Sequence, residues 1–556
     1  MTIVLPEKDE MFSLRSLPPP ARSAWNKYRR PASLALLILV GLALILQFRH
    51  SSSSYIDINR STFKSQARYS HPAPNEGAAK VFWHRLANIL HEAKPSFAEV
   101  RRTNDRSPWI TYNRLDQPSV RPDLLDMSWD ELKEFKTIHA KAIEDFKDLA
   151  PSMPFVKGTR GIVTTASNDA LAILTSSLWM LRASGSMLPV EIWFEDEHNY
   201  EQVPCEVIFP SLGAKCMFMQ DYLPKDLEHP LHIVKFTFKT LALLFSSYEQ
   251  ILFLDCDAFP VANPDSIFVT EPFVSAGWVM WPDYWASTAS HFWYDISGLP
   301  EPDLKDRASV ESGELLINKA THGAALLLVQ LYNVWGPEHW HRLFSQAAPG
   351  EGDKDTFPAA VQVMNMSWYQ VAENPQRIGY RCDKKHAIGS GQSHPNDDFL
   401  ITSRGIMTHE EGLDLTQSIH PRVLFIHGNL PKYDPYILLD WRLPDLEWND
   451  MLRCDDGEGR AHRFWGPKEL ALAKYGWDPE AALWDALRWE ACTHEQDYSI
   501  WVVGSIFRPT EKLRHDLCPE ITKLYKELFP LKQYTGQLPK PGRPERPWGG
   551  FGHDSW

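Results

Sequence analysis

The chain has 556 residues, a formal net charge of −14 and 44% hydrophobic residues. That length can bury one large core or two, and the acidic balance argues against a nucleic-acid partner, whose phosphates demand a basic face. Seven cysteines without C-x2-C pairs are too few for a disulfide scaffold and point to no zinc site.

In chain order, residues 1–30 read as a short polar tail. Residues 32–48 are an apolar run without charge, introduced by Arg29-Arg30-Pro31 and closed by Arg49-His50. A helix of that length is at the short end of what spans a bilayer and suits the thinner membranes of the early secretory pathway. The run exceeds a usual signal-peptide apolar region and no A-x-A site follows, so 31–49 is predicted to be an uncleaved signal anchor. Arg15, Arg22, Lys27, Arg29 and Arg30 precede it, and Arg49, Arg60, Lys64 and Arg68 follow, a modest positive-inside bias. The sequons at Asn59 and Asn365 make sense with the large C-terminal part in the lumen, which favours a type II arrangement. Residues 50–80 read as a stem with too few apolar residues to pack. Residues 81–156 read as a helical subdomain, in which Ser128-Trp129-Asp130-Glu131 forms a capping box for a helix reaching Leu149.

From 157 to 436 the pattern is α/β. Residues 160–165 read as a strand, Asn168-Asp169 as the cap of a helix over 170–183 that Gly185 ends, and 189–194 as a second strand. Strand, helix, strand makes a βαβ unit and predicts a parallel sheet. Further strands are expected near 205–209 and 216–218, then a helix over 239–248. Residues 437–535 are Trp-rich with helical patterning, clearest at 480–489, and predict a helical elaboration; 536–556 is a Pro-rich tail.

Ile251, Leu252, Phe253 and Leu254 read as a buried strand that ends in Asp255 and Asp257. Side chains at i and i+2 of a strand point to one face, so the two carboxylates converge. Such a pair suits a hard divalent cation that bridges to phosphate oxygens, at the strand end where open α/β sheets bind ligands. Cys256 between them then faces the other side of the sheet, as a small buried filler. The exit through Pro260 and Pro264 is rigid.

Lys239 to Gln250, followed by ILFLDCDAFPVANPDSIF, resembles the D-x-D region of GT-A glycosyltransferases. More narrowly it resembles the fungal Golgi α-mannosyltransferases of glycosyltransferase family 71, distantly similar to family 8, over roughly residues 158–432. The resemblance implies a GT-A nucleotide-sugar-binding fold, a mostly parallel sheet flanked by helices, behind the N-terminal anchor. It also implies a type II Golgi membrane protein with a lumenal catalytic domain, retained in place with a Golgi glycosyltransferase complex as a further partner. The implied reaction is metal-dependent and retaining. It moves mannose from GDP-mannose to an α-mannoside of glycoprotein mannan or an N- or O-glycan, in α-1,2 or α-1,3 linkage.

The site residues follow from the same resemblance. Asp255 and Asp257 are expected to hold Mn2+ with His427, which ends the apolar run Val423-Leu424-Phe425-Ile426 in a segment similar to the family 8 H-x-x-G-x-x-K; Lys432 would reach a phosphate. Glu311-Ser312-Gly313-Glu314 resembles an E-S-G-q segment and reads as a turn feeding a strand, with Glu314 the better placed to grip a sugar hydroxyl. Gly352-Asp353-Lys354-Asp355 resembles the G-D-x-D motif on the acceptor side, and makes Asp353 or Asp355 the covalent nucleophile if one exists. Family 8 has no clear nucleophile, so a same-face displacement assisted by the leaving phosphate is the expected route. Thr164, Thr165 and Ala166 end the first strand, where the nucleotide sits in this fold. Lys239 is read as a surface-helix lysine with a route to the diphosphate, and Glu195-Asp196-Glu197 as a strand cap. Two rivals stay open: a family 8-like transferase using a UDP-sugar, and a Golgi-anchored sugar-binding protein without turnover.

Overall fold

The computed structural model describes residues 71–72, 75–113, 120–223, 236–379, 381–382, 385–386, 388–403, 420–440, 461–498 and 517–539. The expected anchor at 32–48, the sequon at Asn59 and the end of the Pro-rich tail lie outside these residues. Among the described residues no helix is long and apolar enough to cross a membrane.

Two helices open the described part, α1 (Glu76–Glu92) and α2 (Trp129–Leu149). The predicted capping box is present on α2: Ser128 accepts from the Glu131 backbone, and Glu131 accepts from that of Ser128. The α/β part then runs β1 (Val156–Thr165), α3 (Leu171–Ala183), β2 (Val190–Phe194), β3 (Ala214–Phe218), α4 (Phe236–Phe245) and β4 (Tyr248–Leu254). Next come β5 (Ala258–Pro260), β6 (Trp278–Ala286), β7 (Ala308–Asn318), α5 (Lys319–Val334), α6 (Thr356–Val363) and β8 (Tyr369–Gln370). The last elements are β9 (Gln376–Ile378), β10 (Ile388–Ser393), α7 (Pro395–Ser403), β11 (Val423–Leu430), α8 (Pro479–Thr493) and α9 (Leu517–Leu528).

Seven strands form one mixed sheet in the order β8-β6-β7-β4-β1-β2-β3. Only β7 runs against its neighbours; the other pairings are parallel. Both faces are covered, which is why β4 is apolar throughout its end rather than alternating. Leu252 and Leu254 join a core with α3, α8 and α9, while Ile251 and Phe253 join a second core with α1, α2, α4 and α5. Cys256 packs on the first of these, the side opposite Asp255, as its place between two converging aspartates requires. A second, antiparallel sheet, β9-β10-β11-β5, takes in the short strand immediately after Asp257.

Three local readings change. Residues 205–209 are helical, not a strand: Pro204–Ile208 forms one wide turn that runs into Phe209–Ser211. Pro204 and Pro210 lack the N–H a sheet ladder needs, while Ile208 and Phe209 still bury their side chains. Asn168 and Asp169 do not cap α3: they form a single 3-10 turn, Asn168–Ala170, with Asp169 accepting from Ser167 and Asn168 donating to the His198 carbonyl. Glu311 to Glu314 is not a turn but the interior of β7. The cysteine pairing that sequence leaves open is resolved for two pairs, Cys205–Cys216 and Cys492–Cys518, with Cys256 free.

His139 on α2 is buried, its Nε2 2.7 Å from the Tyr332 hydroxyl, among Trp293 and Trp340. Burial lowers its pKa from 6.5 to about 4. The unfolded chain therefore binds this proton first as pH falls, so stability is complete above pH 6.5 and declines towards pH 4, by roughly 3 kcal/mol in all. Replacing the titrating ring by His139→Phe should flatten the fall in melting temperature between pH 6.5 and 4 relative to wild type. An unchanged slope would contradict this account of His139.

Candidate functional site

The end of β4 delivers Asp255 and Asp257 to the carboxyl edge of the sheet, and β11 brings His427 to them. The register fixes the meeting: His427 pairs with Ala258 of β5, one residue after Asp257. His427 Nε2 lies 3.2 Å from Asp257 Oδ1, and one ligand atom from each of Asp255, Asp257 and His427 falls within 4.8 Å of the others. The strand that supplies this histidine has Val423, Leu424, Phe425 and Ile426 fully in the core, so its position is set by packing rather than by the carboxylates.

Close approach depends on two glycines. A Cβ on Gly313 would stand 2.8 Å from His427 Cε1, 2.9 Å from its Nδ1 and 3.4 Å from Asp255 Oδ2. A Cβ on Gly428 would stand 2.6 Å from the Tyr433 ring, and the Gly428 N–H donates to the Asp257 carbonyl at 2.9 Å. On the other side the Asp255 N–H donates to the Gly313 carbonyl at 2.8 Å. The backbones of β4, β7 and β11 are thus fastened around one point.

Lys239 is not a surface lysine. It is buried on α4, 3.2 Å from both Asp255 and Asp353, and donates to the Ser312 carbonyl at 3.0 Å. Its Nζ lies 5.0 Å from the centre of the Phe253 ring, and although burial disfavours its charge, the two aspartates raise its pKa. Lys432 pairs with Asp257 and donates to the Gly428 carbonyl. The two aspartates consequently differ. Burial raises Asp255 despite Lys239 and His427, whereas for Asp257 the His427 and Lys432 charges outweigh burial and hold it well below the usual carboxylate range. His427 is raised far above an ordinary imidazole, Asp257 and Glu311 outweighing its burial.

Glu314 has no exposed surface, and neither of its carboxylate oxygens has a hydrogen-bond partner. Burial pushes its pKa up to about 8. Together with Glu311 and His427 it offers a second close set of ligand atoms. Asp353 accepts from Ser312 at 2.9 Å and shares Lys239 with Asp255, so it belongs to the cluster. Asp355 is turned aside: it accepts from Ser309 at 2.7 Å and lies 3.7 Å from Arg307. Thr164 and Thr165 close β1, which pairs with β4 through Val163 and Phe253, placing Thr165 level with Asp255 in the sheet. Thr164 Oγ1 is buried without a hydrogen-bond partner. Two residues the sequence reading passed over complete the network: Lys354, between Asp353 and Asp355, pairs with Asp283 of β6 at 2.6 Å. A lysine between two motif aspartates was the available signal for the first; nothing local marks Asp283.

The donor set of two carboxylates and an imidazole fits a divalent cation. The Asp255, Asp257 and His427 side chains keep 27%, 12% and 13% of their surface open to solvent, enough for a cation and its ligand to enter. Acidic groups outnumber basic ones across the cluster, and the Glu314 carboxyl and His427 Nδ1, which make no hydrogen bond, leave ligating capacity, His427 Nδ1 lying 3.8 Å from Glu311.

The model of the mannosyltransferase family Mannosyl_trans3 matches residues 159–308 and 301–406. The α-1,2-mannosyltransferase MNN2 of Saccharomyces cerevisiae is 30% identical over 464 residues, covering 70% of this chain and 77% of that protein. MNN21 of Candida albicans, also an α-1,2-mannosyltransferase, is 29% identical over 507 residues, covering 79% and 73%. Among solved structures, the galactosyltransferase LgtC in complex with donor and acceptor sugar analogues is 14% identical with a TM-score of 0.28, covering 50% of this chain and 89% of that one. The chain belongs to the fungal α-1,2-mannosyltransferase family that includes MNN2.

Gly313→Ala tests the geometry. The new methyl displaces the His427 ring without removing any group of the candidate cation site, so the affinity for a divalent cation, measured by calorimetry, should weaken by about ten-fold while the fold persists. Unaltered affinity would mean that His427 need not stand where it does.

Proposed function

We propose that this chain is a GT-A glycosyltransferase that transfers mannose from GDP-mannose to a mannoside hydroxyl of a glycan, forming an α-1,2 linkage with retained configuration. The observation that carries the reading is the convergence of Asp255, Asp257 and His427 at the carboxyl edge of β4 in a chain of the α-1,2-mannosyltransferase family. The single reversed strand β7 beside β4 and the second sheet that supplies His427 agree with the GT-A fold. Asp255, Asp257 and His427 would hold a divalent cation, and the mixed oxygen and nitrogen set suits Mn2+. Bound there, it supplies charge neutralisation to a departing diphosphate.

The chain's own residues then bind and orient. Lys432, its side chain 35% exposed, is the cation best placed to meet a phosphate oxygen, while Lys239 fixes Asp255 against Asp353. Thr164 and Thr165 take the nucleotide at the end of β1. In the transfer, the bond from mannose C1 to the phosphate oxygen breaks, and a bond from the acceptor oxygen to C1 forms on the same face. The acceptor proton passes to the leaving phosphate. Glu314, protonated at neutral pH by its burial and without exposed surface, supports the site from within β7 and neither grips a sugar hydroxyl, as its sequence position suggests, nor acts as a nucleophile. Asp353 is the carboxylate beside the cluster, and Asp355, held by Ser309, supports its loop.

Purified protein beginning near residue 71 should turn over GDP-mannose and not UDP-galactose or UDP-glucose in a donor panel. Asp257→Asn should cost at least about a hundred-fold in kcat/KM, and chelation should remove activity that Mn2+ restores. Turnover of a UDP-sugar instead would select the family 8-like alternative; full activity after exhaustive chelation would remove the metal from the reading.

The same proposal places the catalytic part in the Golgi lumen behind a single span at residues 32–48. The two disulfides support an oxidising compartment. In intact vesicles a C-terminal tag should resist protease until detergent is added; digestion without detergent would reverse the topology.

A further inference from the structure

Beyond Asp283, strand β6 leads out of the reaction centre to Tyr284, Trp285 and Ala286, where a strap of the N-terminal region is fastened across its end. The Tyr112 N–H donates to the Tyr284 carbonyl at 2.8 Å, the Ala286 N–H to the Ile110 carbonyl at 2.9 Å, and Thr111 bridges Trp285. These bonds hold Trp109 edge-on to Trp285, with ring centroids 5.5 Å apart and planes at 83°. Trp109 is nevertheless 71% exposed. One exposed ring alone would need no explanation, but Trp109 and the half-buried Trp285 together present a contiguous aromatic face held in place by backbone bonds. Trp285 stands two residues, about 7 Å along a strand, from Asp283. Asp283 is paired with Lys354 in the loop that carries Asp353, and Asp353 shares Lys239 with Asp255. The two tryptophans therefore continue the site outward on the side of the Gly352–Asp355 loop.

Resting on the proposed mannosyl transfer, we propose that Trp109 and Trp285 form a distal acceptor subsite that stacks on a mannose unit beyond the one receiving the new linkage. A pyranose presents an apolar face of C–H groups and a rim of hydroxyls. An indole covers that face while the rim stays hydrated, so stacking removes apolar surface without stripping polar groups. The strap has already fixed both rings, which keeps the ordering cost of binding low. Trp129 is a natural control: it is 84% exposed on the first turn of α2, with no ring contact among the described residues.

The test compares α-mannotetraose with methyl α-mannoside as acceptors. Wild type should favour the tetraose through KM, and Trp109→Ala should shrink that preference by about ten-fold. Trp109→Tyr should restore most of it, and Trp129→Ala should behave as wild type. A Trp109→Ala enzyme that keeps the full preference overturns the subsite. So does one whose sedimentation shifts while its acceptor constants hold, which would make the face a contact between copies. Should the wild-type chain transfer no mannose, quenching of tryptophan fluorescence by α-mannotetraose decides independently. Quenching lost in Trp109→Ala supports the subsite although the transfer reading has failed, and no quenching in wild type refutes it.

Discussion

Asp255 and Asp257 stand where four apolar side chains hand over to the edge of a sheet covered on both faces, and two carboxylates brought together there must be compensated. Removing one partner of a buried charge pair typically costs 3–5 kcal/mol, so the positive groups beside them matter. Lys239 reaches Asp255 from α4, His427 reaches Asp257 from β11, and Lys432 reaches Asp257 from just beyond the end of β11. The arrangement is asymmetric, and the asymmetry has a consequence for function. Asp257 is held firmly charged, while Asp255, raised by burial, gains most from a further cation. A site of this kind is incompletely neutralised by its own protein, which is what a cation bridging to a diphosphate requires.

The C-terminal elaboration works as a buttress for this arrangement. Ser177 on α3 donates to the Cys256 carbonyl between the aspartates at 2.7 Å, and from the C-terminal elaboration Trp477 Nε1 donates to the Val261 carbonyl after them at 2.7 Å. Trp465 donates to the Tyr433 hydroxyl at 3.1 Å, and Tyr433 is the ring for which Gly428 makes room. Trp465 is fixed in turn by Glu480, which accepts from the Phe464 and Trp465 backbones and pairs with Arg463. Burial brings Glu480 up to about 7, against the pull of Arg463, so this acid too is sustained only by its local donors. From Glu480 to Asp257 the contacts are continuous, and the tryptophan-rich segment belongs to the positioning of the site.

How much of this is written locally in the chain differs from residue to residue. The apolar run into Asp255 and Asp257, and the matching run into His427, announce themselves because burial on both faces and a ligand at the strand end are consecutive in sequence. The α2 capping box is equally local. Lys239 is not: a lysine on a helix is surface by default, and its burial follows from packing against Phe253 and from pairing with Asp353, more than a hundred residues away. The turn at 204–211 was masked by its apolar pattern, in which the two prolines should have outweighed Val207, Ile208 and Phe209. Glu311 and Glu314 looked like an acidic turn because Ser312 and Gly313 lie between them. The structure makes Gly313 a point of contact inside a strand instead, a role set by His427 and invisible without it. Asp283 and the Tyr433–Trp465 contact depend on strands and loops that meet only in the fold.

The central claim is that Asp255, Asp257 and His427 jointly hold the cation that faces the donor diphosphate. It is met most directly by a crystal of the protein from about residue 71 onward soaked with Mn2+ and GDP, with data collected at the manganese absorption edge. The account predicts one strong anomalous peak ligated by those three side chains and by oxygens of the diphosphate. A diphosphate bound with no peak there, or a peak ligated by Glu311 and Glu314 without the aspartates, would contradict it.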